Sequence, residues 1–463
     1  MTSHHKITSL EVLDIRYPTV RLGLAGSDPR HLAPNYSCAV TILRTDSGLE
    51  GRSLVFTAGD GTQIQKLAIE ALHRFVVGRD LRDFTAEPGL FAQALIEHHQ
   101  LRWLALGAYR MACGSVINAL WDLWAKREKV PMWRLLTSLA PRQIVQSIDF
   151  HHLRDELTEE ELLEMLESRA LQKEHNLARL QSEGPRVYST AGWSGRPLEE
   201  VRKLCSDLYR QGTRAFKAKV GRGQQYDRDR ALTEDRAMLN TIREATGPDA
   251  QLLTDANQNL GDWRNAASYM KELAEYKLLF IEEAIAYNDV IGYIRLREAL
   301  TPVGIGVAGG EQAPDAITFK QLLAGGGLTH CQIDGARVGG VNEILATIAI
   351  AAKYGVPVCP HSGGIGLGQL VGALSVFDQA WFGSEGRLLE YLEFLQEGVF
   401  HHPLKIREGR YVLPSALGWG LEMHDEFIAR YRYPDGVDTA NSAEADRIAA
   451  GQPGAPPYAR YWM

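Results

Sequence analysis

Three short apolar runs in the middle of the chain each end in a carboxylate, and no other feature limits the fold as much. Leu252-Leu253-Thr254 leads to Asp255, Leu279-Phe280-Ile281 to Glu282, and Ile305-Gly306-Val307 through Ala308-Gly309-Gly310 to Glu311. A fourth run, Ala215-Phe216-Lys217-Ala218-Lys219-Val220, carries two lysines two apart. A short apolar run bounded by turn residues reads as a buried strand, and the two-residue period of a strand puts Lys217 and Lys219 on one face. Charges at the end of a buried strand are costly unless something pairs them. Converging carboxylates repel one another and raise each other's pKa values. A hard divalent cation removes that cost, and an all-oxygen set of carboxylates and water suits Mg2+. The pattern points to a magnesium site with a lysine beside it.

From about residue 144 strand and helix patterns alternate. Strand candidates are 144–150, 215–221, 252–258, 279–283, 305–311, 331–334, 356–361 and 388–391, and helical segments include 197–211, 227–246, 263–275, 314–323 and 342–353. Pro314 suits a first helical turn, where no backbone donor is needed. Eight strands in this rhythm fit a parallel β/α barrel of roughly 250 residues. The interval 153–193 is longer, charged and largely helical, and reads as an insertion. Ahead of the barrel, residues 7–57 alternate as an antiparallel meander and 62–138 read as helices, with 111–124 apolar on most sides. The loop from about 20 to 36 is rich in Gly, Pro and Asp, and a long unstructured loop is often functional. After residue 400 a hairpin centres on Glu408-Gly409-Arg410, and the tail returns to the first module or lies across the barrel.

Composition narrows the function. The 463 residues carry a net charge of −7, which gives no support for binding nucleic acid or anionic membrane. No apolar run approaches the roughly 20 residues that span a bilayer. The polar start lacks the apolar core of a secretory signal. The five cysteines are scattered without a CxxC pair, so buried structural thiols in a reducing, cytoplasmic setting are expected.

In barrels of this type the C-terminal strand ends line the active site. Those positions hold Lys217 and Lys219, Asp255, Glu282, Glu311, Asp334, His361 and Glu390. The set resembles the enolase superfamily in its mandelate-racemase-like branch, and within it the L-fuconate dehydratases and related sugar-acid dehydratases. The resemblance is carried by Lys217-Ala218-Lys219, Asp255-Ala256-Asn257-Gln258, Ile281-Glu282-Glu283, Gly310-Glu311, Gln332-Ile333-Asp334, Ala336-Arg337-Val338-Gly339-Gly340, Pro360-His361-Ser362 and Leu389-Glu390-Tyr391. It extends over Arg16-Tyr17-Pro18, Gly26-Ser27-Asp28, Asn35-Tyr36-Ser37, Gly192-Trp193 and Tyr433-Pro434-Asp435, and so spans nearly the whole chain.

The resemblance implies an α/β fold: a modified TIM barrel, (β/α)7β, at 141–400, an α+β capping domain at 1–140, and a C-terminal segment, 401–463, that completes the cap. It implies one Mg2+ per site on Asp255, Glu282 and Glu311, bound to a substrate carboxylate and stabilising an enediolate, as in this superfamily generally. Lys219 takes the C2 proton, with a pKa lowered by Lys217 and the metal. His361 protonates the departing C3 hydroxyl while Asp334 holds its ring. Glu390 faces the carboxylate as a protonated donor, and Asn257, Asp28, Tyr36 and Trp193 contact the substrate. The expected partner is a small acid sugar, in a homo-oligomer, and the product is a 2-keto-3-deoxy acid.

Other readings stay open at this point. The three acids suit helix caps as well, and Asp334 has Arg337 within reach in sequence as an alternative partner. A lysine facing a histidine serves a racemase or epimerase equally, and a catalytically silent binding protein is a third possibility. Ala284, Gln312, Pro29-Arg30-His31-Leu32-Ala33-Pro34 and Leu392-Glu393-Phe394 depart from the dehydratase pattern near the expected pocket, which leaves the sugar acid open.

Overall fold

The computed structural model describes residues 5–24, 26–452 and 455–461; the polar start, residues 1–4, lies outside them. Strands β1 (Ile7–Arg16), β2 (Tyr36–Thr45) and β3 (Glu50–Ala58) form the expected antiparallel meander. One face of it packs on helix Ala108–Arg127, which is buried along most of its length. Small residues let this helix come close to the barrel. A Cβ on Gly114 would stand 2.3 Å from the Val338 carbonyl oxygen. Asn118 then bridges the gap, donating from Nδ2 to Gly335 O at 3.1 Å and accepting the Val341 N–H at 2.9 Å.

The barrel strands are β4 (Val187–Gly192), β5 (Ala215–Lys219), β6 (Gln251–Asp255), β7 (Leu278–Glu282), β8 (Gly306–Gly309), β9 (His330–Cys331) and β10 (Leu389–Tyr391). They form one parallel sheet in the order β10-β4-β5-β6-β7-β8-β9. Residues 356–361 fill the place between β9 and β10 without a regular ladder. On one side Cys359 N–H donates to Cys331 O at 2.8 Å and His361 N–H to Ile333 O at 3.0 Å. On the other, Ser362 Oγ donates to Glu390 O at 2.7 Å. Helices Leu198–Arg210, Arg228–Thr246, Trp263–Lys271, Val290–Leu300, Ala316–Ala324, Val341–Lys353 and Leu367–Phe382 alternate with these strand positions, which makes the fold (β/α)7β. Tyr188, Ala215, Leu253, Phe280, Ala308, Cys359 and Leu388 fill the interior, one from nearly every position around the ring.

Three expectations are corrected. Residues 144–150 are not a strand: Pro141 opens helix Pro141–Gln146, and Ile144 is buried in its last turn. The first barrel strand is β4, inside the interval read as an insertion; helices Glu159–Glu167 and Ala170–Glu183 precede it. Pro314 stands just outside its helix, whose N-cap is Asp315, accepting the Thr318 N–H at 2.7 Å.

The segment after residue 400 touches both halves. The hairpin β11 (Lys405–Arg407) and β12 (Arg410–Val412) lies beside β4, where Val187 N–H donates to Gly409 O at 3.0 Å. Further on, Trp419 N–H donates to Asp122 Oδ1 at 2.7 Å and Tyr433 N–H to Asp14 O at 2.8 Å, both in the cap. No helix among the described residues is long and apolar enough to cross a membrane.

Candidate active site

Strand register brings the acids together. Lys219 stands level with Asp255 and Asp255 with Glu282, so three consecutive strands end at one height. Carboxylate oxygens of Asp255, Glu282 and Glu311 lie within 4.8 Å of one another, all three residues buried. Burial and the neighbouring carboxylates raise Glu282 to about 7 even though Lys217 pulls the other way. Glu282 Oε1 is buried and has no hydrogen-bond partner among the described residues. An unpartnered hard oxygen among mutually repelling carboxylates fits a small divalent cation. The chain leaves its relaxed backbone here: Asn257, Gln258 and Glu283 have φ of 43°, 62° and 43° just past the ends of β6 and β7. Left-handed backbone at non-glycine residues stores strain and gathers at functional sites.

The two lysines occupy different environments. Lys217 is enclosed, with Nζ 2.8 Å from Glu282 Oε2 and 2.9 Å from Glu390 Oε1. Lys219 lies nearer the opening, donating to Asp255 Oδ2 at 2.5 Å and Asn257 Oδ1 at 3.0 Å. Its ammonium is 5.1 Å from the centre of the Trp193 ring. Burial lowers the pKa of Lys219, but the Asp255 carboxylate outweighs it and the net displacement is upward. Lys217 acts in the expected downward direction, but the Asp255 carboxylate is the nearer charge and prevails over it.

His361 closes the other end of the acid cluster. Its Nδ1 lies 2.8 Å from Asp334 Oδ2, and Asp334 Oδ1 accepts the Ala336 N–H at 2.7 Å. Asp334 therefore pairs with His361 and not with Arg337. With Nδ1–H given to Asp334, the second proton of the ring resides at Nε2. Two neighbours compete there: the Gly363 N–H at 3.2 Å favours a lone pair, and Glu311 Oε2 at 3.5 Å favours a proton. Burial works against the charged ring, but Glu311 and Asp334 prevail and raise it to about 9.

Glu390 differs from expectation. Oε1 accepts from Thr190 Oγ1 at 2.6 Å as well as from Lys217, and Oε2 accepts the Ser362 N–H at 3.0 Å. Burial opposes ionisation, yet Lys217 and His361 hold the carboxyl well below the usual range. Glu390 is an ionised acceptor, not the protonated donor expected.

A cavity of about 300 Å3 covers these groups, and Asn257, Asp28, Tyr36 and Trp193 all line it. Asp28 nevertheless spends its oxygens on its own loop, accepting the Arg30 N–H at 2.8 Å and the His31 N–H, with Oδ2 3.1 Å from His31 Nδ1. It thereby presents His31, a lining residue that sequence reasoning did not select. Tyr36 stacks on Phe56 at 5.5 Å between ring centres. Gly26 lies so close to Trp193 that a Cβ would stand 2.2 Å from the Trp193 Cβ. Tyr287, Gln312 and Arg337 also line the cavity. Nothing in their sequence neighbourhood marked Tyr287, whereas Gln312 follows a metal-ligand candidate directly.

Comparison with known proteins agrees with this architecture. Residues 31–137 match the mandelate racemase / muconate lactonizing enzyme N-terminal domain, and residues 200–427 match the enolase C-terminal domain-like family. The L-galactonate dehydratase of Hypocrea jecorina is 38% identical over 96% of this chain and 98% of its own. The crystal structure of human mitochondrial enolase superfamily member 1 superposes with a TM-score of 0.89 at 37% identity, covering 94% of this chain and 98% of that one. The L-talarate/galactarate dehydratase of Salmonella typhimurium LT2, liganded with Mg and L-lyxarohydroxamate, gives a TM-score of 0.70 at 21% identity over 93% of each chain, a likeness of fold. On its sequence and its fold, the chain belongs to the enolase superfamily, in the mandelate racemase branch.

Proposed function

We propose that this chain is a hydro-lyase that removes water from a sugar acid to give a 2-keto-3-deoxy acid. One observation carries the reading: Lys219 meets the acid cluster at Asp255, and His361 meets it at the opposite member, Glu311. A substrate carboxylate drawn to a cation held by that cluster would have an amine at one end of the group and an imidazole at the other. Asp255, Glu282 and Glu311 would hold Mg2+, which when bound would supply the fixed positive charge that a carboxylate needs as its α-carbon loses a proton.

The chain's own residues supply the proton transfers. Lys219 in its neutral form takes the C2 proton. His361 gives its Nε2 proton to the C3 hydroxyl, which leaves as water, and the resulting enol becomes the 2-keto acid. Lysine ends protonated and histidine neutral, so one proton has moved through each. Asp334 holds the ring so that its mobile proton is at Nε2. Lys217 and Glu390 form a buried ion pair below the cluster that braces Glu282 and Ser362.

The substrate class we favour is an aldonate of the L-fuconate and L-galactonate kind, which share their configuration and differ only at C6. The Hypocrea jecorina relative, named an L-galactonate dehydratase, supports that choice. Five buried free thiols suit a reducing compartment, and we place the protein in the cytoplasm on that ground. Incubation with C5 and C6 aldonic and aldaric acids and Mg2+, with 2-keto products scored by semicarbazide, tests the reading. A keto product that disappears in Lys219→Ala supports it; no product from any acid sugar refutes it. The same opposed pair also suits an epimerase, which would incorporate solvent deuterium at C2 without a keto product.

A further inference from the structure

The wall of the cavity holds, in Arg337, a cation that the proton transfers leave unused. Arg337 is half-buried in the loop between Asp334 and helix Val341–Lys353, and it lines the same cavity as Lys219 and His361. Its Nη1 lies 3.9 Å from Met111 Sδ, and its guanidinium carbon is 5.6 Å from the centre of the Phe56 ring. Both neighbours belong to the cap. A thioether is a weak acceptor and a phenyl ring gives only a quadrupole, so the guanidinium donors are largely unspent.

Several other sheltered arginines are ion-paired, although among the described residues buried Arg222 has only the neutral partners Ser27 and Gln452. Arg16 is paired with Asp14 at 3.1 Å, Arg110 with Glu343 at 2.6 Å, and Arg387 with Asp378 at 2.5 Å. Among the described residues no such ion pair forms at Arg337. A sheltered guanidinium without a counterpart costs free energy and gains most from a ligand oxygen. Its position is also well defined, because Asn118 pins the loop on both sides of it, at Gly335 and at Val341.

The acids that would hold Mg2+, and through it the substrate carboxylate, gather at and just past the ends of the barrel strands, and Glu311 among them lines the cavity. Arg337 lies on the cap side of the same cavity, beside Met111 and Phe56. We infer that Arg337 hydrogen-bonds the oxygen on the terminal carbon of the acid sugar, so that the site favours chains ending in a hydroxymethyl or carboxylate group over chains ending in a methyl. The inference rests on the dehydratase reading above and narrows its substrate.

The test compares kcat/KM for the best acid sugar of the library with that for its terminal-deoxy counterpart; for L-galactonate the counterpart is L-fuconate. The wild type favours the terminal hydroxyl by about tenfold or more, the size expected of a hydrogen bond to a charged donor. Arg337→Met and Arg337→Gln reduce that ratio toward one, because the hydroxylated acid loses more than the deoxy acid. The ratio is internal to each variant, so a partly unfolded preparation does not mimic the effect. A wild type that favours the deoxy acid overturns the inference, as does a ratio unchanged in both variants, and in either case the dehydratase reading stands. Absence of turnover with every acid sugar sinks both.

Discussion

His361 Nδ1 lies 2.8 Å from Asp334 Oδ2, and the two residues are also joined through an isolated parallel bridge between their backbones. Ring and carboxylate are thus fixed by the same strand pairing that closes the barrel. If His361 serves as the acid, the charged ring must persist at working pH, and a value near 9 provides that. The alkaline limb is expected to fall as the ring loses its proton above about 9, while the acid limb belongs to Lys219, which must be neutral to accept the C2 proton. In Asp334→Asn the alkaline limb of the kcat profile moves to lower pH and kcat falls about a hundredfold. A pH–rate series on both proteins checks the direction of that movement.

Removing a metal ligand should uncouple stability from magnesium. A cation that binds only the folded state adds about 2.7 kcal/mol at one hundred times its Kd. The wild type is therefore expected to melt several degrees higher in saturating Mg2+ than in EDTA. Glu282→Gln should lose most of that increment together with its activity. Differential scanning calorimetry with and without Mg2+ reads both.

Much of this site can be read from the chain because its pattern is local. The runs ending in Asp255, Glu282 and Glu311 are apolar enough to be strands and each finishes in a charge; register then aligns Asp255 with Glu282, and Glu311 joins them from the turn just past β8. β4 escapes because Val187-Tyr188-Ser189-Thr190-Ala191-Gly192 mixes polar and apolar residues and follows a charged helical stretch. Residues 144–150 mislead in the opposite way, since apolar Ile144 and Val145 belong to a short helix started by Pro141. The state of Glu390 depends on Thr190, Lys217 and Ser362, three partners distant in the chain, and the service of Asp28 to His31 depends on a loop turn. Neither is written in spacing or periodicity.

His330 gives a pH-dependent stability that is separate from the chemistry. It is buried beside Phe280, with ring centres 4.9 Å apart, and burial pushes its pKa down to about 4. The unfolded chain binds that proton near 6.5, so the folded state holds fewer protons between the two values. Its contribution to stability is present above about 6.5 and is lost as pH falls toward 4, by roughly 3 kcal/mol at most. His330→Leu should flatten the urea midpoint over that window, measured at matched ionic strength.

The close approach of the cap helix to the loop carrying Asp334 and Arg337 depends on Gly114. A methyl group there would sit 2.3 Å from Val338 O and 2.9 Å from Gly340 N, both backbone atoms that cannot rotate away. Gly114→Ala is expected to destabilise the fold by about 1–3 kcal/mol. It should also raise KM more than Ala112→Gly, a change in the same buried helix that adds no atoms. Thermal melts and steady-state kinetics on the two variants distinguish the effects.

The division of labour between Lys219 and His361 is tested most directly by following the C2 hydrogen of the acid sugar by proton NMR in deuterium oxide with Mg2+. His361→Asn should form no keto acid yet still exchange the C2 hydrogen for deuterium, because Lys219 remains to remove it. Lys219→Ala should do neither. Exchange that survives in Lys219→Ala and vanishes in His361→Asn would contradict the assignment.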